Sequence, residues 1–124
     1  MTLGEARTVA LSLPGSTEEP HFERTSFRVG GKIFATAPPE GGPLHVFVDE
    51  HAVGVAVGMD PEAFEELHWG NKLAGVAVHL YRADPEIVRD LLEESWRRRA
   101  TKSLIRELDE RERPPWKEDR EADV

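Results

Sequence analysis

The chain contains no cysteine. This absence excludes a disulfide framework, a catalytic thiol and a thiolate metal site. The sequence also has no apolar run of bilayer length, and its first 13 residues lack the apolar stretch of a signal peptide. We therefore expect a cytoplasmic protein of a prokaryote that does not interact with membranes.

Motifs typical of catalysis are also missing. The sequence has no Gly-rich phosphate loop, no H-E-x-x-H and no serine in a nucleophile elbow. Five histidines are scattered along the chain: His21, His45, His51, His68 and His79. One segment mixes possible metal ligands, at spacings that match no standard pattern: Glu18, Glu19, His21 and Glu23. We expect no enzymatic activity, no cofactor and no metal site, unless two histidines meet an acidic residue in a cleft.

Positive charge is absent from a long middle segment. No Lys or Arg occurs between Lys32 and Lys72, and the formal net charge of the whole chain is −8. The acidic residues of that segment are Glu40, Asp49, Glu50, Asp60, Glu62, Glu65 and Glu66. Conversely, five basic residues between 97 and 106 have no acidic residue among them. This distribution predicts an acidic and a basic region on one molecule, although the overall acidity opposes nonspecific nucleic-acid binding.

Residues 25–37 have the pattern of a β-hairpin around Gly30-Gly31. Glycine adopts the positive φ angles of a two-residue turn at little steric cost. The register predicted from this turn places Phe27 opposite Phe34, on a buried face, and makes the opposite face half-exposed, with Ser26 and Ala35 on it. We interpret the hairpin as part of the core, and the alternative is that Arg28 and Lys32 present charge at its tip.

The remaining elements are predicted from caps and turn residues. Thr2 and Glu5 form a capping box for a first helix, and Asp84 and Thr101 cap two further helices, the first with Trp96 in its buried stripe. Between the first and the second of these helices we predict two loops, over 16–24 and 68–72, and Phe22 of the first loop is expected to lie under the hairpin. In the same part of the chain we predict strands over 44–49 and 73–81 and a short helix over 61–67. Residues 50–59 fit a strand or a poor helix.

Two residues of the 68–72 loop are candidates for binding a ligand or a protein partner. Trp69 is large and amphipathic, and Asn71 follows Gly70 in a turn. Packing against the core is the alternative role of Trp69.

Residues 3–108 resemble the MmcQ/YjbR-like proteins. Their opening has a helix that ends in L-P-G, an acidic loop with a Phe, and then F-x-V-x-G-K-x-F-A. The matching residues here are Leu13, Pro14, Gly15, Glu18, Glu19, Phe22, Phe27, Val29, Gly31, Lys32, Phe34 and Ala35, and Leu80, Asp84 and E-E-S-W-R-R-R-A match in the second half. The resemblance implies a single two-layer α+β domain over 1–110, followed by a charged tail over 111–124. Its antiparallel sheet would be flanked by N- and C-terminal helices, as in frataxin-like or secretion-chaperone-like folds. It also favours a helix over 50–57.

The resemblance implies DNA binding, the function usually suggested for that family. The basic residues that would contact DNA are Arg28, Lys32, Arg97, Arg98, Arg99 and Lys102. The alternative hypothesis is an adaptor that binds a protein, a second copy of the chain or a small ligand through the acidic middle segment and Trp69. The two hypotheses differ in whether the basic residues form one continuous surface.

Overall fold

The computed structural model of the chain describes residues 1–39 and 41–113. These residues form helices α1 (Leu3–Ser12), α2 (Glu50–Met59), α3 (Pro85–Arg99) and α4 (Lys102–Glu112). They also form strands β1 (Ser16–His21), β2 (Arg24–Val29), β3 (Lys32–Ala37), β4 (Leu44–Val46), β5 (Phe64–Trp69) and β6 (Lys72–Val78). The strands make one antiparallel sheet in the order β1-β2-β3-β4-β6-β5. The protein is therefore an α+β domain with helices from both chain ends flanking the sheet, which confirms the predicted fold class.

The caps expected from the sequence are present. Thr2 accepts a hydrogen bond from the Glu5 amide, and the Glu5 carboxylate accepts one from the Thr2 amide. Asp84 begins α3, with Pro85 in the first helical turn, and Thr101 begins α4. None of the helices in the described residues has the length and apolar character needed to cross a bilayer.

The core lies between one face of the sheet and the helices. Helix α3 packs on β2, β3 and β4, while α2 packs on β5 and β6. Phe27 and Phe34 are almost fully buried on this face, as predicted. Trp96 is fully buried and donates its indole hydrogen bond to the Pro14 carbonyl at 3.0 Å. Trp96 therefore joins α3 to the turn after α1.

The register of the central hairpin differs from the prediction. Phe27 pairs with Ala35 and not with Phe34, because a bulge follows at Phe27/Arg28. The observed register places Ala35 opposite Phe27, in the core and not on the half-exposed face predicted for it. Ser26, on the opposite face, is also more covered than expected, since it is fully buried. Its hydroxyl donates to the Glu19 carbonyl of β1 at 2.8 Å. An additional edge strand therefore accounts for the burial of Ser26.

That edge strand is β1, within the segment predicted as a loop. Its six residues, S-T-E-E-P-H, lack the apolar alternation that marks a half-buried strand. The strand forms because it pairs with β2 along its whole length. Pro20 is tolerated there because an edge strand leaves one side without ladder hydrogen bonds.

The prediction for Phe22 is wrong. Phe22 occupies the two-residue turn between β1 and β2, has a φ of 57° and is 94% exposed. The turn requires the left-handed conformation at this position and directs the side chain away from the core.

The predicted helix over 61–67 is also wrong. Asp60 does cap a single turn, since Glu62 donates to its carboxylate and Ala63 to its carbonyl. From Phe64 onward the chain pairs with β6 instead. The glutamates at 65 and 66 favour a helix locally, but the turn at Gly70-Asn71 returns the chain antiparallel to β5, and strand pairing prevails.

The other differences concern element lengths. The strand predicted over 44–49 is limited to Leu44–Val46, and that over 73–81 corresponds to Lys72–Val78. Residues 50–59 form a helix, as the resemblance implied, with Asp49 accepting a hydrogen bond from the Ala52 amide. Helix α4 extends to Glu112, past the start of the predicted tail, and residues 114–124 of that tail lie outside the described residues.

Candidate functional site

The sheet separates into two arms at one end. Strand β4 has only three residues and pairs with just Ala35 and Thr36 of β3. Strands β3 and β6 are both antiparallel to β4, so both begin at the same end of the sheet. Their first residues extend beyond the last residue of β4. The chain leaves the sheet between these arms at Phe47. A groove of about 1100 Å³ opens there and continues over the uncovered face of the sheet.

Gly75 allows the chain to leave the sheet at this point. A Cβ atom at Gly75 would collide with the Val46 carbonyl oxygen and lie 2.9 Å from the Phe47 Cα. The absence of a side chain thus lets the backbone after β4 pass directly over β6. The position of Phe47 in the groove depends on this close approach.

Among the charged residues that line the groove, the basic ones outnumber the acidic ones. Its cationic side chains are those of Arg24, Lys32, Lys72, Arg98 and Arg99, and its acidic residues are Glu23 and Asp49. The Asp49 carboxylate accepts a hydrogen bond from the Ala52 amide at 2.9 Å as the cap of α2. A molecule with net charge −8 therefore has a locally positive concave surface.

These five cations have no acidic partner in the described part of the chain, where none makes an ion pair within 4.0 Å. Arg24 donates to three neutral oxygens instead, namely Thr36 Oγ1 and the carbonyls of Thr36 and Pro43, at 3.0 to 3.2 Å. Burial lowers the pKa of Arg24 from its ordinary value, but a guanidinium stays charged at neutral pH. The groove thus retains positive charge that can attract an anion.

Arg98 is held in place by the backbone that leaves β4. Its Nη1 donates to the Phe47 carbonyl at 3.0 Å. The same carbonyl accepts a hydrogen bond from the buried Ser95 hydroxyl at 2.8 Å, and that hydroxyl also lies 2.5 Å from the Phe34 carbonyl. Hydrogen bonds from α3 to the backbone at Phe47 therefore fix the position of Arg98 in the groove.

Aromatic side chains accompany the cations. Phe47 and Trp69 contact each other with ring centroids 5.1 Å apart and planes inclined by 55°. Trp69 is nevertheless 61% exposed. Phe22 also lines the groove, from the β1–β2 turn at the opposite end of the strands. The groove therefore offers an exposed indole at one end and an exposed phenyl ring at the other.

His45 lies on the groove floor, next to Thr36 on the neighbouring strand. Burial, and to a lesser extent the charge of Arg24, lower the pKa of His45 to about 4. The imidazole is therefore neutral at physiological pH and can both donate and accept a hydrogen bond.

The structure brings together only part of the predicted binding set. Lys32, Arg98, Arg99 and Trp69 line the groove. Arg28, Arg97, Lys102 and Asn71 do not. Of the six basic residues named for DNA binding, three therefore lie together at the groove.

The basic residues outside the groove have other environments. Arg97 lies 3.3 Å from Glu93 and donates a hydrogen bond to Asp109 at 2.7 Å, and this hydrogen bond raises the pKa of Arg97. Arg28 donates to the Ser26 hydroxyl at 2.9 Å and lies 3.9 Å from Glu19. The positive charge of Arg97 is therefore used to join α3 to α4.

Several acidic residues of the middle segment lie in local ion pairs. Asp60 and Glu62 contact Arg82 at 3.3 and 3.2 Å, and Glu65 lies 3.5 Å from His79. Within the described residues no group of three or more His, Asp or Glu side chains could hold a metal ion. Trp69 lines the groove together with Asp49 of this segment, but not with Asp60, Glu62 or Glu65.

Sequence reasoning did not identify Arg24, Lys72 or Phe47 as site residues. A signal for Lys72 was available, because Gly70-Asn71-Lys72 repeats the pattern of Gly30-Gly31-Lys32. Each lysine follows a hairpin turn and begins a strand. Two hairpins with the same orientation in one sheet would have placed both lysines at the same end of that sheet. The prediction of a helix over 61–67 concealed the second hairpin.

Fold and site together define a small α+β domain with a groove that carries cationic and aromatic side chains. A family model described as YjbR matches residues 11–98. The chain therefore belongs to the YjbR family, as its resemblance implied. No curated protein and no solved structure matches the chain.

Proposed function

We propose that this protein binds DNA through the groove between its β2–β3 and β5–β6 hairpins, and that its role is binding and not catalysis. The observation that supports this proposal is the concentration of five cations around exposed aromatic rings. These cations have no acidic partner among the described residues, although the whole chain has a net charge of −8. Lys and Arg side chains in such a position attract phosphates and release their counterions. Membership of the YjbR family agrees with the proposal without specifying a ligand.

The adaptor hypothesis has less support. It combined Trp69 with the acidic middle segment, but Trp69 pairs with Lys72 and lines the same groove as Arg98 and Arg99. An anionic ligand fits this environment better than a basic protein surface does. We therefore propose no second function.

Charge reversal at the groove tests the proposal. The double variant Lys32→Glu with Lys72→Glu should weaken binding of labelled DNA at low salt by about tenfold or more, because both groove lysines would then repel phosphate. The matched control is Lys102→Glu with Arg106→Glu, which changes the net charge equally on exposed positions of α4 that do not line the groove. Fluorescence anisotropy gives the affinities, and circular dichroism confirms that both variants fold.

The control should bind DNA within about twofold of the wild type at matched salt, since its phosphate contacts remain. Equal weakening in the two variants would place the DNA contacts elsewhere. Failure of the wild type to bind any DNA at low salt would refute the proposal.

A further inference from the structure

We infer that the groove takes DNA as a single strand, whose phosphates follow the groove cations and whose bases stack on Trp69. This inference rests on the proposed function, which it narrows to one form of nucleic acid. Two observations carry it, namely the exposure of an aromatic side chain inside a positive groove and the packing of α3 and acidity of α4, which do not suit the reading of a duplex.

Trp69 has an exposed aromatic ring on which an unpaired base can stack, whereas a base within a duplex cannot. Its side chain is 61% exposed, while Phe47 supports it from one side at a centroid distance of 5.1 Å. Bases within a duplex are stacked on one another and present only their edges in the grooves, whereas unpaired bases stack on aromatic side chains. An indole fixed by a neighbouring ring, beside Lys72 and Arg98, matches the arrangement of single-strand sites.

The course of the groove suits an extended strand. It runs from Phe22 in the β1–β2 turn, past Thr36 and His45 in the centre of the sheet, to Trp69 at the opposite strand ends. Arg24 lies near Phe22 at one end of this path, whereas Lys32 and Lys72 lie at the Trp69 end, where Arg98 bonds to the Phe47 carbonyl. Its volume of about 1100 Å³ is at or above the roughly 300–1000 Å³ of small-molecule pockets, which fits a ligand of several linked units.

Helices α3 and α4 are poorly suited to the major groove of a duplex. Reading a duplex through that groove requires an exposed helix or β-ribbon whose side chains reach base edges. Helix α3 is packed against β2, β3 and β4, and α4 has acidic residues at 107, 109, 110 and 112. The two hairpin turns that border the groove consist of Gly30-Gly31 and Gly70-Asn71, which offer one base-reading side chain between them.

The test compares three ligands with the full-length protein. These are a labelled oligothymidylate of about a dozen nucleotides, within the roughly 4–16 that such grooves cover, a duplex of the same length, and inorganic polyphosphate as a competitor. We expect the single strand to bind about tenfold more tightly than the duplex, and polyphosphate of equal charge to compete poorly because it has no bases. Indole emission should be quenched by the oligothymidylate, and the Trp69→Phe variant should lose that quenching.

Three substitutions of Trp69 separate stacking from packing. Trp69→Ala should weaken binding of the single strand about tenfold, whereas Trp69→Phe should retain most of the affinity because a phenyl ring also stacks. Trp69→Leu keeps an apolar contact with Phe47 but no aromatic face, so it should resemble Trp69→Ala. Polyphosphate affinity should be the same in all three variants.

The outcomes distinguish this inference from the function on which it rests. A duplex that binds as tightly as the single strand, with no effect of Trp69→Ala, would overturn the inference and leave DNA binding intact. Polyphosphate that competes as well as the oligothymidylate would overturn it too, since bases would then contribute nothing. If neither DNA form binds at low salt, both proposals fail.

Discussion

His45 couples the groove floor to the pH dependence of stability. Its pKa is lowered to about 4 by burial and by Arg24, whereas the pKa of an unfolded histidine is about 6.5. Between these values the unfolded chain binds a proton that the folded chain does not. The contribution of His45 to the free energy of unfolding is therefore complete above about pH 6.5 and is lost as the pH falls towards about 4.

We expect the His45→Gln variant to lack this contribution to the pH dependence. Acidification from about pH 7 to about pH 5 should then lower the urea midpoint of the wild type more than that of the variant, because only the wild type has His45 to protonate on unfolding. Urea unfolding at the two pH values, followed by circular dichroism, gives the comparison. Parallel losses in the two proteins would show that His45 has a normal pKa in the folded state.

Gly75 is the residue on which the shape of the groove depends most directly. Its substitution by Ala would bring a methyl group against the Val46 carbonyl and the Phe47 Cα, which are backbone atoms that cannot rotate away. Gly75→Ala should lower the free energy of unfolding by about 1–3 kcal/mol or more, as overpacking of a core does. Urea unfolding measures this change, and an unaltered midpoint would mean that the chain after β4 can move away from β6 at little cost.

At the scale of elements, α2 is a helix built from poor helix formers. Two of its ten residues, Gly54 and Gly58, lie on the exposed side with no atom within 4 Å of an added Cβ, and neither has a positive φ. The helix persists because Ala52, Val53 and Ala56 are buried against the core and because Asp49 caps its first turn.

Replacing both glycines of α2 should stabilise the protein. Gly54→Ala and Gly58→Ala should each raise the free energy of unfolding by about 0.5–1 kcal/mol, since alanine restricts the unfolded chain and favours the helix. The matched control is Gly70→Ala, which places alanine at a φ of 63° and should destabilise the fold. A stability increase in the control, or none in α2, would contradict this account of the helix.

The elements predicted correctly were those with local signals. Helices α1, α3 and α4 begin at Thr2, Asp84 and Thr101, where a capping side chain and the following residues already favour a helix. Strands β1 and β5 have no such signal. Five polar or charged residues and one proline form β1 only because β2 lies beside it. Strand β5 prevails over a helix start at Asp60 only because β6 returns from the turn at Gly70.

At the scale of the whole molecule, the groove could not be predicted because it depends on strand order and on the length of one strand. The sequence showed that basic residues were segregated, but not that Arg97 turns towards α4 while Arg98 turns towards Phe47. Arg97 and Arg98, which are neighbours in sequence, thus have different environments. Lys32 and Lys72, which are 40 positions apart, begin the parallel strands β3 and β6 of one sheet. Only the three-residue length of β4 separates those arms and creates a concave surface.

The salt dependence of binding tests this view of the molecule as an acidic body with one positive groove. For a single strand, the logarithm of the affinity falls with the logarithm of the salt concentration, with a slope of about −0.7 for each phosphate neutralised. Contacts from all five groove cations would give a slope of about −3.5. Lys32→Gln and Lys72→Gln should each reduce its magnitude by about 0.7, whereas Lys102→Gln, outside the groove, should leave it unchanged. Titrations of a labelled oligothymidylate at several salt concentrations measure these slopes. A slope that survives both groove substitutions would mean that the counterions are released from another surface, and the groove would then not be where the phosphates lie.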